Sequence, residues 1–194
     1  MKNDNKLKGK DLINIGIYAA LTCVLITAVS MIGFVPVLLP FIGILAPLVA
    51  GIPLMLFMTK VRKFGMITIM GVILGGFLWL TGMGYWPFIF GVVLGLLADL
   101  ICKAGKYNSP KMAMLGHGVL SVTYFGCMLP LYLDIESYFS TRQGFGQEYQ
   151  DTIANLLQPW TLPALIVGGF VAGVVGAWIG QKLLKKHFTP AGIL

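Results

Sequence analysis

No charged residue falls between Asp11 and Lys60, between Lys63 and Asp99, between Lys111 and Asp134, or between Asp151 and Lys182. Runs of this length are the strongest constraint on the fold, because about 20 apolar residues in a helix cross the hydrocarbon core of a bilayer. Lipid offers the backbone no hydrogen-bond partners, so such segments must satisfy their own amides as helices. The 194 residues, 57% hydrophobic and only 11% charged, leave room for about six spans and no separate soluble domain. The expectation is an all-α integral membrane protein, one transmembrane domain over 1–194. It is a compact bundle of six transmembrane helices at roughly 11–33, 37–59, 64–80, 87–102, 112–133 and 161–184.

The charges punctuate these spans. Of 14 basic residues, 13 fall in the N-terminal segment, after the second span, after the fourth and at the C-terminal end; Arg142 is the exception. Cytoplasmic loops of membrane proteins concentrate Lys and Arg, so both termini of this multi-pass membrane protein are expected in the cytoplasm. The formal net charge of +7 then reflects topology. A nucleic-acid partner is excluded, since that needs basic residues gathered on a soluble face. The basic Met1–Lys10 precedes an apolar run too long for a signal peptide, and is read as leading into a retained first helix. Cys23, Cys102 and Cys127 lie in or beside apolar runs, which suits packing and not a disulfide framework.

The same count puts 134–160 outside as a polar loop with Asp134, Glu136, Glu148 and Asp151, four of the seven acids. Within it Tyr149, Ile153, Leu156 and Leu157 recur at helical spacing, predicting a short amphipathic helix between helices 5 and 6. Gly144 and Gly146 before it allow a hinge. Pro36, Pro40, Pro47 and Pro53 make the second span irregular. Trp79, Tyr85 and Trp86 collect at one interface, either as an aromatic belt or as a stacking surface for a flat ligand. On helix 1, Gly16 and Ala20 stand four apart beside Ala19 and Cys23, a small face suited to close helix approach within this chain or to another. Asp99, four residues before Lys103, is expected to pair with it. His117 lies two turns into helix 5, where an ionisable group is either functional or bonded to a neighbouring backbone.

Several chemistries are missing. The chain has no Walker A loop, no H-E-x-x-H and no G-x-S-x-G, and no second histidine or acid at metal-ligand spacing from His117. Neither an enzyme nor a resident metal or cofactor is expected. Two other classes stay open: a membrane enzyme or scaffold acting on lipid through Asp99 and His117, and a self-sufficient small transporter.

Leu7-Lys8-Gly9-Lys10-Asp11-Leu12-Ile13 leads into Gly16-Ile17-Tyr18-Ala19-Ala20-Leu21, and Gly95-Leu96-Leu97-Ala98-Asp99-Leu100-Ile101 precedes Gly105-Lys106-Tyr107. With Leu183-Leu184-Lys185-Lys186-His187-Phe188 and Ala191-Gly192-Ile193, these strings resemble the substrate-binding S component of an energy-coupling factor transporter, in particular its Trep_Strep group. The resemblance covers nearly the whole chain through the order of short strings. It implies a six-helix binder that captures a micronutrient outside and hands it inward with a membrane scaffold subunit and two cytoplasmic ATPases. It implies further that Gly16, Ala19, Ala20 and Cys23 dock the scaffold. Substrate is expected among residues at the outer ends of the helices and loops: Trp79, Tyr85, Trp86, Tyr132, Glu136, Asn155, Gln158 and Trp160. With no histidine in Met1–Lys10, nickel and cobalt are disfavoured. An aromatic rim with a few polar groups suits a vitamin-like molecule or a modified base. The 134–160 loop would be the lid of that site.

Overall fold

The computed structural model describes residues 6–188. The basic Lys2 and the closing Ala191-Gly192-Ile193 lie outside them. The described residues are helical with no strand: α1 (Gly9–Ser30), α2 (Ile42–Lys60), α3 (Met66–Leu78), α4 (Trp86–Ala104), α5 (Pro110–Ser121), α6 (Leu129–Leu133), α7 (Ile135–Ser140), α8 (Gln147–Leu156) and α9 (Thr161–Leu183). Five continuous helical segments are long and apolar enough to cross a membrane, namely Gly9–Phe34, Pro36–Lys60, Met66–Met83, Trp86–Ala104 and Thr161–Lys186.

The fifth expected span, 112–133, is not one helix. It divides into α5, a tighter 3-10 stretch Val122–Cys127, and α6. Two local causes act. The Ser121 hydroxyl donates to the His117 carbonyl at 2.7 Å, a back-bond that bends helices, and Pro130 brings no N–H for the carbonyl one turn earlier. The path still runs antiparallel along α4: Gly116 faces Ala98 and Cys102, and Gly126 faces Trp86 and Pro87. Pro36 and Pro40 likewise fall in a 3-10 entry to α2, Pro36–Phe41, whereas Pro47 and Pro53 lie inside the helix.

Glycine sets the helix spacing. Gly51 of α2 meets Gly176 of α9, Gly180 meets Gly51 and Ile52, and Gly169 meets the Gly43 carbonyl, so these two helices run parallel in direct backbone contact. Gly71 and Gly75 of α3 meet Gly91, Gly95 and Pro87 of α4 in the antiparallel sense. Lipid is as apolar as a leucine side chain, so membrane helices associate through this kind of close packing. The buried core between them is built from Ile15, Leu54, Phe57, Ile67, Met70 and Leu74 among others.

One end of the bundle is stitched by polar contacts. Lys63 Nζ lies 2.7 Å from Asp11 Oδ2 and donates to the Lys6 carbonyl at 2.8 Å. Arg62 donates to the Tyr107 carbonyl and to Asn108 Oδ1 at 3.3 and 3.2 Å. Because α9 runs parallel to α2, Lys182 and Lys185 reach this end too, and the basic segments gather there.

Asp99 is its anchor, and the expected pairing with Lys103 gives way to a different arrangement. The carboxylate is fully buried. Oδ2 accepts from the Gly65 N–H at 2.8 Å, the Thr68 N–H at 3.1 Å and the Thr68 hydroxyl at 3.0 Å; Oδ1 accepts from the Tyr107 hydroxyl at 2.8 Å. Gly65, left-handed at φ 99°, precedes α3 and has no side chain with which to cap it. Asp99 supplies from α4 the acceptor that a helix N-terminus requires, and its charge suits that end of the dipole. Lys103 instead places its ammonium 4.9 Å from the centre of the Phe64 ring. Burial, and then the bond to Asp99, push the Tyr107 phenol well above its ordinary range. Tyr107 and Lys106 are themselves left-handed, at φ 54° and 52°, a conformation these tethers hold.

Two outcomes follow for stability. A methyl added at Gly176 would fall 2.6 Å from the Leu48 carbonyl oxygen, so Gly176→Ala is expected to cost about 1–3 kcal/mol; Gly16→Ala, in open space, leaves the melting temperature in detergent unchanged. Asp99→Ala strands four N–H or O–H groups and is expected to cost about 3 kcal/mol or more, against about 1 kcal/mol for Tyr107→Phe. Equal melting temperatures for the two would contradict the capping assignment.

Candidate binding site

The end opposite the basic residues is loosely filled. Beyond the last glycine contacts, α1 continues into a 3-10 turn Met31–Phe34, and α3 into a wide turn Trp79–Met83 whose Gly82 adopts φ 87°. The helices part there around a cavity of about 290 Å³, near the lower limit of small-molecule sites.

The segment after α6 folds over this cavity. Asp134 caps α7 by accepting from the Ser137 N–H at 2.9 Å. Ile153 of α8 is fully buried and Leu157 nearly so, against Phe125, Met128, Leu131 and Phe139. Leu156, grouped with them by spacing, is exposed instead, because it lies a third of a turn round the helix. Phe139, Phe145 and Tyr149 pack as an aromatic cluster, with the last two rings 4.5 Å apart.

Two long-range contacts hold this cover down. The Tyr149 hydroxyl donates to the Gly33 carbonyl at the end of α1 at 2.5 Å. Burial pushes that phenol up to about 12, so it remains a donor at neutral pH. Arg142 donates to the Gly82 carbonyl beyond α3, to the Tyr138 carbonyl at 2.8 Å and to the Thr141 hydroxyl at 3.2 Å. Its guanidinium also lies 3.9 Å from the centre of the Tyr138 ring. Gly144 and Gly146 do not have positive φ, whereas at this end of the bundle Gly82 and Gly84 do.

The walls are mainly apolar. Their polar members include Thr27, Ser30, Thr81, Tyr124, Tyr138 and Arg142. Tyr124 is only 6% exposed and its hydroxyl has no hydrogen-bond partner. An unpaired buried hydroxyl costs about 1–3 kcal/mol.

None of the eight residues expected to hold substrate lines this cavity. Trp79 is half exposed and packs on Phe88, Tyr85 packs on Trp86, and Trp86 on Phe90. The Tyr132 hydroxyl is 2.6 Å from that of Thr161. Glu136, Asn155 and Gln158 are exposed, and Trp160 is 72% exposed. The four small residues of α1 also separate. Gly16 and Ala20 are exposed, with nothing within 4 Å of a methyl built at Gly16; Ala19 is buried in the core, and Cys23 is half-buried against it. Among the polar cavity residues not proposed as a binding site from sequence are Tyr124, hidden in an apolar run, Tyr138, and Arg142, which the charge count had already set apart.

Asp99 and His117 are bonded in different directions. His117 is buried with Nε2 3.1 Å from the Pro47 carbonyl, which only accepts, so Nε2 carries the hydrogen; Asp99 faces Gly65, Thr68 and Tyr107. No group of three or more His, Cys, Asp or Glu side chains suited to a metal occurs among the described residues.

A family model described as a hypothetical bacterial integral membrane protein (Trep_Strep) matches residues 9–189. No curated protein and no solved structure matches the chain.

Tyr149→Phe should release one of the two ties across the cavity. Amide hydrogen exchange over 147–156 is expected to accelerate about fivefold, equivalent to ~1 kcal/mol, with exchange in α2 and α9 unchanged. Unaltered exchange in 147–156 would show that the bond to Gly33 does not hold the cover.

Proposed function

We propose that this chain, which belongs to the Trep_Strep family of bacterial integral membrane proteins, is the solute-binding membrane subunit of an energy-coupling factor importer. It captures a small vitamin-like micronutrient from outside and passes it inward together with a scaffold membrane subunit and two cytoplasmic ATPases. The observation that carries the reading is a cavity at the end of the bundle away from the basic residues, roofed by a segment tied to the ends of two helices. By the positive-inside rule that end faces outward and both termini lie in the cytoplasm. The path Pro110–Leu133, running the length of α4, makes the sixth crossing.

Energy must then come from partners, as the sequence holds no phosphate-binding loop. The outward-facing Gly16 and Ala20 of α1 are the docking face, since small exposed residues let a partner helix come close; Ala19 and Cys23 contribute by packing α1 against its own bundle. A membrane enzyme working through Asp99 and His117 is disfavoured by the separate bonding of those two groups.

The test is co-purification. Expressed with its scaffold and ATPases, the chain is expected to form a complex that hydrolyses ATP, while the chain alone does not. Gly16→Leu and Ala20→Leu should each lower recovery of the complex by about tenfold and leave solute binding by the isolated chain intact. Full assembly in both variants would remove the docking assignment, and uptake into sealed vesicles by the chain alone would remove the dependence on partners.

A further inference from the structure

We infer that the cavity takes a predominantly apolar molecule bearing one anionic group, with its acid towards Arg142 and a polar atom within reach of the Tyr124 hydroxyl. The inference rests on reading this cavity as the solute site and adds the chemistry of the solute.

Two independent features carry it. The first is charge. Among the described residues Arg142 is the cation of the wall, and no Asp or Glu lines the cavity. Its partners are neutral: the carbonyls of Tyr138 and Gly82, the Thr141 hydroxyl and the Tyr138 ring. Of the acids in the covering segment, Asp134 caps α7 and Asp151 accepts from Gln147, while Glu136 and Glu148 are exposed. The positive charge therefore stands, part-buried, at the edge of an apolar space without a counter-charge, where Coulomb attraction is stronger than in bulk water. A guanidinium offers five N–H groups in a planar fork suited to a carboxylate or phosphate. A cationic solute would meet the opposite of what it needs.

The second is Tyr124. Its ring forms part of the wall and its hydroxyl is buried without a partner. Buried polar groups are paired as a rule; the hydroxyl is closed off from the cavity as it stands, and a bound molecule presenting a donor or acceptor completes the site once the ring turns to meet it. Around these two points stand Ile26, Phe34, Ile42, Phe77 and Met128, which fit a hydrocarbon or aromatic body and leave little for a sugar-like one.

The experiment measures equilibrium binding to the full chain in lipid nanodiscs of three matched probes: naphthalene-2-carboxylate, naphthalene-2-carboxamide and 2-naphthylmethylamine. The carboxylate is expected to bind about tenfold or more tighter than the carboxamide, and the amine more weakly still. Arg142→Gln should bring carboxylate and carboxamide to within about twofold, and Tyr124→Phe should weaken both while keeping their order. Lys103→Gln, which removes the same charge at the other end, should change nothing. If Arg142→Gln fails to fold, the ranking in the unaltered chain decides. Failure of every probe to bind, an amine bound as tightly as the carboxylate, or a full carboxylate preference in folded Arg142→Gln would each overturn the inference. Assembly with the scaffold and ATPases separates the two readings. A chain that assembles without favouring the carboxylate loses only the solute chemistry, and one that favours it without assembling loses only the importer role.

Discussion

Backbone contact at glycine is what the rest of the bundle depends on. Lipid supplies no hydrophobic drive between helices, so association relies on surfaces that fit at short range. Here the fit is literal: Gly51 against Gly176, and Gly71 against Gly91, with no space for a further carbon. These contacts run from the middle of the helices to one end and stop. Past Gly43 on α2 and Gly75 on α3, the chain turns to 3-10 and wide turns with larger side chains. The cavity opens where close approach ceases. Its position follows from the placing of glycine along four helices.

The two ends of the bundle solve their polar demands differently. At the basic end Asp99 accepts four hydrogen bonds from α3 and the 105–109 turn, and Asp11 pairs with Lys63. At the opposite end two side chains from one segment reach single carbonyls across the cavity. An end fixed by buried, charge-assisted bonds resists opening, whereas one held by a few partly exposed contacts opens at low cost. That asymmetry suits a subunit that admits solute at one end and keeps its contacts at the other.

The sequence made much of this readable, and its gaps have a physical cause. Charge-free runs located the five long spans, and the distribution of lysine and arginine foretold a single basic end. What spacing along the chain could not convey was partnership between distant segments. Asp99 sits at the right interval from Lys103, yet the unfilled N-terminus of α3, about 30 residues earlier, is the stronger attraction for a carboxylate. Helix 5 reads as one apolar run, but Ser121 and Pro130 divide it. Trp79, Tyr85 and Trp86 cluster in sequence, yet in space Trp79 packs on Phe88 and Tyr85 on Trp86, outside the cavity. Tyr124 gave no signal within its apolar surroundings. Arg142 did, as the one basic residue on the wrong side of the charge count, and the structure places it in the cavity wall.

The most direct test of the account is native mass spectrometry of the chain released gently from the membranes of cells that make it. A solute-binding subunit is expected to carry one small non-lipid molecule per chain, and that molecule should be absent when Arg142 and Tyr124 are replaced together in a folded protein. A chain that emerges bare, or bearing only membrane lipid in both forms, would contradict the central claim.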